Sequence, residues 1–593
     1  MLWRLKPKAS DEFIRRFPEY EPTVLHLLYQ RGLRTQQQID EFFNPDFEGD
    51  LHDPFLMLGM KEAVKRVFYA VKKQEKVAIF GDYDCDGVCS VVILKAALEK
   101  LGANLSGGVH IPDRKLEGYG LNIPVIKKLA SQKVDLILTV DCGISDIEEI
   151  KLAKLLGMDV IVFDHHRVGS KIPSAKVIVD PWQPKDNYPF KELAAAGVVF
   201  KLVQALISAD KLQVKSGKLT KGWEKWLLDL VSLATVADCV PLLGENRTLV
   251  RYGLIVLAQT KRIGLQELMK IARLNPIFEI ETLTTNLDAY SLGFILAPRL
   301  NAAGRMDHAS LAYELLISQE RDKARFLAEK INEHNRQRQK LTDQIVAEVE
   351  SRIKEYLGDK NHPVIVEADK SWSPGVIGLV AGKIKDRYQR PTFIFKEEDG
   401  FNRGSARSVT TFNIIEAITQ CAGLLKEFGG HAASAGLVLE NKNFKAFVKK
   451  INEVARQKLA DEDLIPKIEI DLELDWIKVT WELFDEQERF GPFGNSNGQP
   501  VYLVKNLEIK KLYLVGNGSK HLKLELASVQ PQNKIFRAIG FNFGKNWGSD
   551  LKIGDKVDVV FELIADEWNG TRNLQFKIVD LQKTETTNIK KYQ

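Results

Sequence analysis

At 593 residues the chain is too long for one hydrophobic core, and its length predicts three or four folded units. Hydrophobic residues at 45% and charged residues at 27% are the balance of a soluble globular protein, and no segment is long and apolar enough to span a membrane. Basic residues (84) barely exceed acidic ones (79), so bulk charge does not by itself point to nucleic acid, and five cysteines without paired C-x-x-C spacing argue against a disulfide framework or a zinc knuckle.

The start, Met1-Leu2-Trp3-Arg4-Leu5-Lys6-Pro7-Lys8, has charge and proline where a secretory peptide needs an apolar run, which predicts a cytoplasmic protein. Residues 1–55 hold short helical patterns and a Phe42-Phe43-Asn44-Pro45 break, and are expected to form a helical extension. From 56 to 317, short apolar strands alternate with amphipathic segments such as Ile123 to Ala130 and Asp146 to Leu156, the pattern of a parallel sheet covered by helices. Four of its apolar runs end in acidic segments. Val77-Ala78-Ile79-Phe80 leads into Gly81-Asp82-Tyr83-Asp84-Cys85-Asp86-Gly87, whose alternate carboxylates are expected on one side of an extended chain. Leu136 to Val140 leads into Asp141-Cys142-Gly143, Val160 to Phe163 into Asp164-His165-His166, and Leu227 to Ala237 into Asp238.

Carboxylates gathered at the carboxyl ends of parallel strands, where α/β folds bind ligands, repel one another unless cations sit among them. Oxygen ligands with one or two imidazoles suit Mn or Mg. The number of acids favours two ions about 3.5–4 Å apart, a spacing that clamps both oxygens of a phosphoryl displacement. Water acidified by the metals would be the nucleophile, so no serine or cysteine nucleophile is needed. Cys85, Cys142 and Cys239 adjoin these aspartates and are expected to pack away from the metals.

Residues 318–357 lack proline and glycine and carry helical apolar spacing at both ends around a polar middle, His334 to Lys340, predicting a bridging helix of about 60 Å. Residues 358–457 read as a second α/β unit, with a helix start at Ser373-Pro374 and a glycine-rich loop, Gly429-Gly430-His431. In 458–593, alternation over Ile468 to Leu474 precedes strand-like runs near 501–514, 520–527, 534–541, 556–563 and 572–581, an oligonucleotide-binding (OB) type β-barrel.

The ordered set Asp82 to Gly87, Asp141-Cys142-Gly143, Asp164-His165-His166 and Thr235-Val236-Ala237-Asp238 resembles the four motifs of the DHH phosphoesterase superfamily, and Gly429 to Gly436 resembles the signature of its companion DHHA1 domain. Ile111 to Gly120, Arg299-Leu300-Asn301-Ala302-Ala303-Gly304-Arg305 and Ser373 to Gly378 extend the likeness to the RecJ family of single-strand-specific bacterial exonucleases, from about residue 40 to the C-terminus. The turn Gly491-Pro492-Phe493-Gly494-Asn495-Ser496-Asn497-Gly498 departs from that family's usual pattern.

The resemblance implies a 5′→3′ exonuclease releasing 5′-mononucleotides from single-stranded DNA in repair and recombination. It carries Asp84, Asp86, Asp141, His165 and Asp238 over as ligands of two Mn or Mg ions, with Asp82 as an additional ligand, Asp141 a candidate bridge, and Asp164 orienting an imidazole. His166 either ligates or donates to the scissile phosphate. Arg114 and Arg299 are implied near the terminal phosphate, joined by Asn301 and Arg305 and, across the cleft, by Ser405, Arg407 and His431. Tyr119 has two readings, stacking on a base or packing. Single-strand-binding protein and a helicase are the implied partners of a monomer. Two other readings compete. A phosphodiesterase for short oligonucleotides or cyclic dinucleotides is disfavoured by the extra C-terminal region, and a non-catalytic scaffold by the complete set of motif carboxylates and histidines. No G-x-x-x-x-G-K-[ST] loop is present, so no ATP requirement is expected.

Overall fold

The computed structural model describes all residues except 115, 214–218, 358–361, 529–533, 548–549, 569–570, 585–588 and 592–593. The chain divides into two compact units, Met1–Pro45 with Ile465–Gln593, and Asp46–Leu464. The N-terminal segment is therefore more than helices: it opens with a strand, β1 (Leu2–Leu5), whose Trp3 is fully buried. Alternation over only four residues, with Pro7 two residues beyond, is too short a pattern to distinguish from a helical turn.

In the second unit, β2 (Lys76–Gly81), β3 (Asn104–His110), β4 (Leu136–Val140), β5 (Asp159–Phe163) and β6 (Val177–Val179) form a parallel sheet in the order β3-β2-β4-β5-β6. Strand alternation divides the core. Ile79, Leu138 and Ile161 face α1 (Cys85–Leu101), α4 (Ala195–Gln213) and α5 (Leu228–Ala237), while Phe80, Ile137 and Val162 face α2 (Ile123–Ser131) and α3 (Ile147–Leu155). The strand order reverses between β2 and β4, so their carboxyl ends flank the crevice where such sheets bind ligands.

A small hairpin, β7 (Phe278–Glu279) and β8 (Thr284–Thr285), precedes a π-helical segment, Ser291–Leu296, that runs directly into α6 (Ala297–Met306). The bridging helix α7 (Arg321–Ile353) has 33 residues, about 50 Å at 1.5 Å each, shorter than expected because Ser318 is extended. Its middle is not solvated all round: Asn332 and Asn335 are buried, and Asn332 accepts a hydrogen bond from Arg299 of α6.

Beyond it, β9 (Ile365–Asp369), β10 (Thr392–Glu397), β11 (Phe401–Arg407), β12 (Glu427–Gly430) and β13 (Ser434–Glu440) form a mixed sheet in the order β12-β13-β11-β10-β9. Helix α8 (Ile377–Tyr388) makes the parallel crossover from β9 to β10 and α9 (Phe444–Lys458) closes the unit; the expected boundary at 358 lies outside the described residues.

The alternating run near 468 splits into two strands. β14 (Lys467–Ile470) pairs with β1, while β15 (Leu472–Glu473) joins β16 (Val501–Val515). Strands β16, β17 (His521–Ser528), β18 (Ile535–Gly540), β19 (Lys556–Trp568) and β20 (Thr571–Lys583) close into a five-stranded barrel through the β16–β19 pairing. A last strand, β21 (Ile589–Lys591), pairs with β1, and Trp3 Nε1 donates to Asp580 of β20 at 2.8 Å. Among the described residues no helix is long and apolar enough to cross a membrane.

Candidate metal centre and phosphate cavity

The first acidic segment is not extended. Asp84 caps α1, its Oδ1 accepting from the backbone N–H of Asp86 (2.9 Å) and Gly87 (3.1 Å), and Asp86 lies in the first helical turn. An aspartate followed by a glycine in the first turn favours this cap over continued strand. A Cβ at Gly87 would come within 2.6 Å of the Asp82 carbonyl, so only glycine allows that approach. The buried Asp86 carboxylate accepts from Ala195 N (2.8 Å) and Ala196 N (2.9 Å) at the start of α4. Asp141 follows the last residue of β4 with φ +61°, a turn at the mouth of the crevice, and Asp238 follows the last residue of α5.

These groups converge on His165. Its Nε2 lies 3.2 Å from Asp141, 3.7 Å from Asp238 and 3.9 Å from Asp86, while its Nδ1 faces the Leu193 carbonyl at 3.1 Å. Three sets of ligand atoms, each within 4.8 Å of one another, could hold an ion: Asp86, His165 and Asp238; Asp82, Asp84 and Asp141; and Asp141, His165 and His166. Two buried atoms in this crevice, Asp82 Oδ1 and His165 Nε2, lack a hydrogen-bond partner, the condition of ligands that a cation satisfies.

Electrostatics agree with that reading. Burial, and then neighbouring carboxylates, push Asp82 and Asp141 well above the usual carboxylate range, and burial pushes Asp86 up and Asp238 to about 7. Asp164 is the exception: burial is outweighed by His166, which holds its carboxyl low. Asp164 accepts from His166 Nδ1 (2.7 Å), and from the backbone N–H of His165 (2.8 Å) and Ile144 (3.0 Å). Burial works against charge on His166, but the Asp164 carboxylate raises it to about 9. Cys85 and Cys142 are buried as expected, but Cys239 is exposed, because Asp238 follows a helix end and not a strand, so alternation does not govern its neighbour.

Beside this centre lies a cavity of about 800 Å³ lined by Tyr83, Arg114, Tyr119, Arg305, Ser405 and Arg407, among others. Arg114 lies over the Tyr83 ring at 4.8 Å, Arg305 donates to the Gly375 carbonyl (3.2 Å), and Arg407 to Ser405 Oγ (3.2 Å). A Cβ at Gly375 would meet the Arg305 carbonyl at 2.4 Å, so the two segments approach that closely only through glycine. Burial, followed by Arg114 and Arg338, lowers Arg305 to about 9. Tyr119 donates its hydroxyl to the Asp141 carbonyl (2.9 Å), and the residue as a whole is 45% exposed. His431 stacks toward His166 with centroids 6.5 Å apart.

Two expected phosphate contacts stand elsewhere. Asn301 Oδ1 accepts from Cys85 N (2.8 Å), fixing the start of α1, and Arg299 donates to Asn332 and the Ile295 carbonyl on the side of α7. Tyr83 and the buried Asp180 were missed. Asp180 has an unpartnered Oδ2 and a carboxyl pushed to about 8, first by burial and then by Asp164. The signal for it was present, since Val177-Ile178-Val179 ends in Asp180 just as the other strands end in aspartate.

Comparison with known proteins follows the same division. Residues 76–235 match the DHH family, N-terminal domain, 361–457 the DHHA1 domain, and 470–580 the RecJ OB domain. A Bacillus subtilis (strain 168) protein described as single-stranded-DNA-specific exonuclease RecJ is 38% identical over 590 residues, 99% of this chain and 71% of the relative. The crystal structure of RecJ from Thermus thermophilus in complex with Mn2+ superimposes with a TM-score of 0.80 at 27% identity, covering 99% of this chain and 80% of that one. Its Mg2+ complex gives 0.76 at 26% identity, with 99% and 79% covered. With identity sustained along the whole chain and all three domains matched in order, this protein belongs to the RecJ family.

Proposed function

We propose that the protein is a metal-dependent exonuclease that hydrolyses single-stranded DNA from its 5′ end to 5′-mononucleotides, in DNA repair and recombination. The observation that carries this reading is the pairing of two adjacent ligand sets with an arginine-lined cavity in one crevice. Asp82, Asp84, Asp86, Asp141, His165 and Asp238 would hold two Mn or Mg ions, the metals present in the two Thermus RecJ structures. When bound, the ions supply positive charge at the reacting phosphate and acidify water.

The chain's own residues do the rest. The backbone N–H groups of Asp86, Gly87, Ala195 and Ala196 fix the Asp84 and Asp86 carboxylates before substrate arrives, which avoids reorganisation during reaction. Asp164 holds His166 by Nδ1, leaving its Nε2 for a phosphate oxygen. Arg114, Arg305, Ser405 and Arg407 bind the terminal phosphate by charge-assisted hydrogen bonds, so that one strand end, and not a continuous duplex, fits the cavity. Tyr119, anchored through its hydroxyl, presents its ring to the terminal base. The barrel binds more of the strand. The protein acts as a cytoplasmic monomer with single-strand-binding protein and a helicase as partners.

The experiment is digestion of an oligonucleotide labelled at one end or the other, with Mn or Mg and with chelator. Mononucleotides are expected from the 5′ side and only with metal; equal digestion from 3′ ends or cutting of closed circles would overturn the reading.

A further inference from the structure

The π-helical segment that leads into α6, together with the residue that caps its start, carries an exposed aromatic pair. Tyr290 is 59% and Phe294 70% exposed, and their rings are stacked 4.9 Å apart with planes 16° from parallel. The opposite side of the segment is held against α5: a Cβ at Gly293 would lie 3.1 Å from Val236, two residues before Asp238. The pair is thus fixed on the element next to the metal centre, on a π-helical turn of the kind that occurs often at functional sites.

Charge next to the pair identifies what covers it. One turn on, Arg299 is held by the Ile295 carbonyl and by Asn332 of α7, and α7 adds Arg336 and Arg338. Arg338 Nε and Asn335 Oδ1 are buried without a hydrogen-bond partner. Burial and then Arg336 lower Arg299, burial and then Arg299 lower Arg338, and Arg338 in turn acts on Arg305 in the cavity. Arg305, Arg338, Arg299 and Arg336 therefore lie near enough to repel one another, and Arg299, bonded to the Ile295 carbonyl, follows Phe294 by five residues on the same helical run. A polyanion with flat apolar groups matches both features.

We propose that Tyr290 and Phe294 are a stacking platform for an unpaired base of the substrate strand downstream of the cut, with Arg299, Arg336 and Arg338 binding the intervening phosphates; this rests on the exonuclease reading above. From Tyr290 to Arg305 the helix runs roughly 20 Å at about 1.5 Å per residue. That is the length of roughly six stacked nucleotides at about 3.4 Å each. The platform therefore grips substrates longer than this and leaves the hydrolysis of a trinucleotide alone.

The test uses the full chain and three double variants, Y290A/F294A, Y290L/F294L and Y290W/F294W. Affinity for a long single strand is measured in chelator, and hydrolysis of that strand and of a trinucleotide is measured with Mn. The alanine and leucine pairs should bind the long strand roughly five- to 150-fold more weakly, the worth of one stacked base, and the tryptophan pair should bind like the parent. Trinucleotide hydrolysis should be unchanged in all. A 2-aminopurine placed about six nucleotides from the 5′ end should be quenched by the parent and not by the alanine pair. Unchanged affinity in the alanine pair overturns the proposal, and so does parental affinity in the leucine pair, which would mark the patch as an apolar protein-docking surface. Absence of metal-dependent hydrolysis in the parent would sink the exonuclease reading instead, while the binding measurements still decide the platform.

Discussion

The carboxylate centre and the arginine cavity beside it are built in opposite ways. The aspartates sit at the ends of strands and helices, and backbone N–H groups hold the Asp84 and Asp86 carboxylates in place. The arginines come from distant segments, on the loop after β3, on α6 and on β11, and repel one another across the cavity. The first region is positioned by the backbone around it to take cations, whereas the second gathers donors from separate segments to take an anion. Losses in the first should therefore fall on turnover, and losses in the second on affinity.

The largest expected effect breaks the first region. Replacing Asp84, Asp141, His165 or Asp238 with alanine should abolish hydrolysis while single-strand binding survives, measured by product release and by anisotropy on the same preparations. Asp164→Asn keeps the size but removes the charge that holds His166, and should lower kcat by roughly 10–100-fold with little change in KM. In the second region, Arg407→Ala removes a phosphate donor that already bonds Ser405, and should raise KM for 5′-phosphorylated ends by roughly tenfold or more, the worth of about 1.5–3 kcal/mol for a hydrogen bond to a charged group. An equal loss of kcat there would erase the distinction between the two regions.

What was legible in the sequence follows from the same contrast. Each metal motif follows a buried apolar run, so local pattern and chain position locate it, and the barrel strands β16, β17 and β18 emerged at their observed places because each alternates over five residues or more. Asn301 and Arg299 carried motif likeness but not geometry: side-chain direction on a helix depends on what packs beside it, and here that is the start of α1 and the face of α7. Strand β1 was hidden for a related reason, since its partners β14 and β21 lie at the far end of the chain.

That long-range pairing gives a smaller, local prediction. Trp3→Ala should destabilise the unit formed by Met1–Pro45 and Ile465–Gln593 by about 3–5 kcal/mol, through the cavity left and the lost bond to Asp580, as a shifted calorimetric transition with trinucleotide hydrolysis intact. The smallest effect concerns Asp369, whose carboxyl the Arg352 hydrogen bond lowers to about 2. A depressed folded-state value contributes stability above the unfolded value of about 3.9 and loses it as pH falls toward 2. The carboxylate is largely solvent-screened, so Asp369→Asn should cost only about 0.2–1 kcal/mol near neutral pH, with the difference vanishing in acid denaturation profiles.

The central claim is that two neighbouring ligand sets hold two ions. Calorimetric titration of the metal-free protein with Mn, paired with elemental analysis of the dialysed complex, tests it directly. The account predicts two ions per chain in the parent and impaired binding at both positions in Asp141→Ala. One ion per chain in the parent, or none, would contradict it.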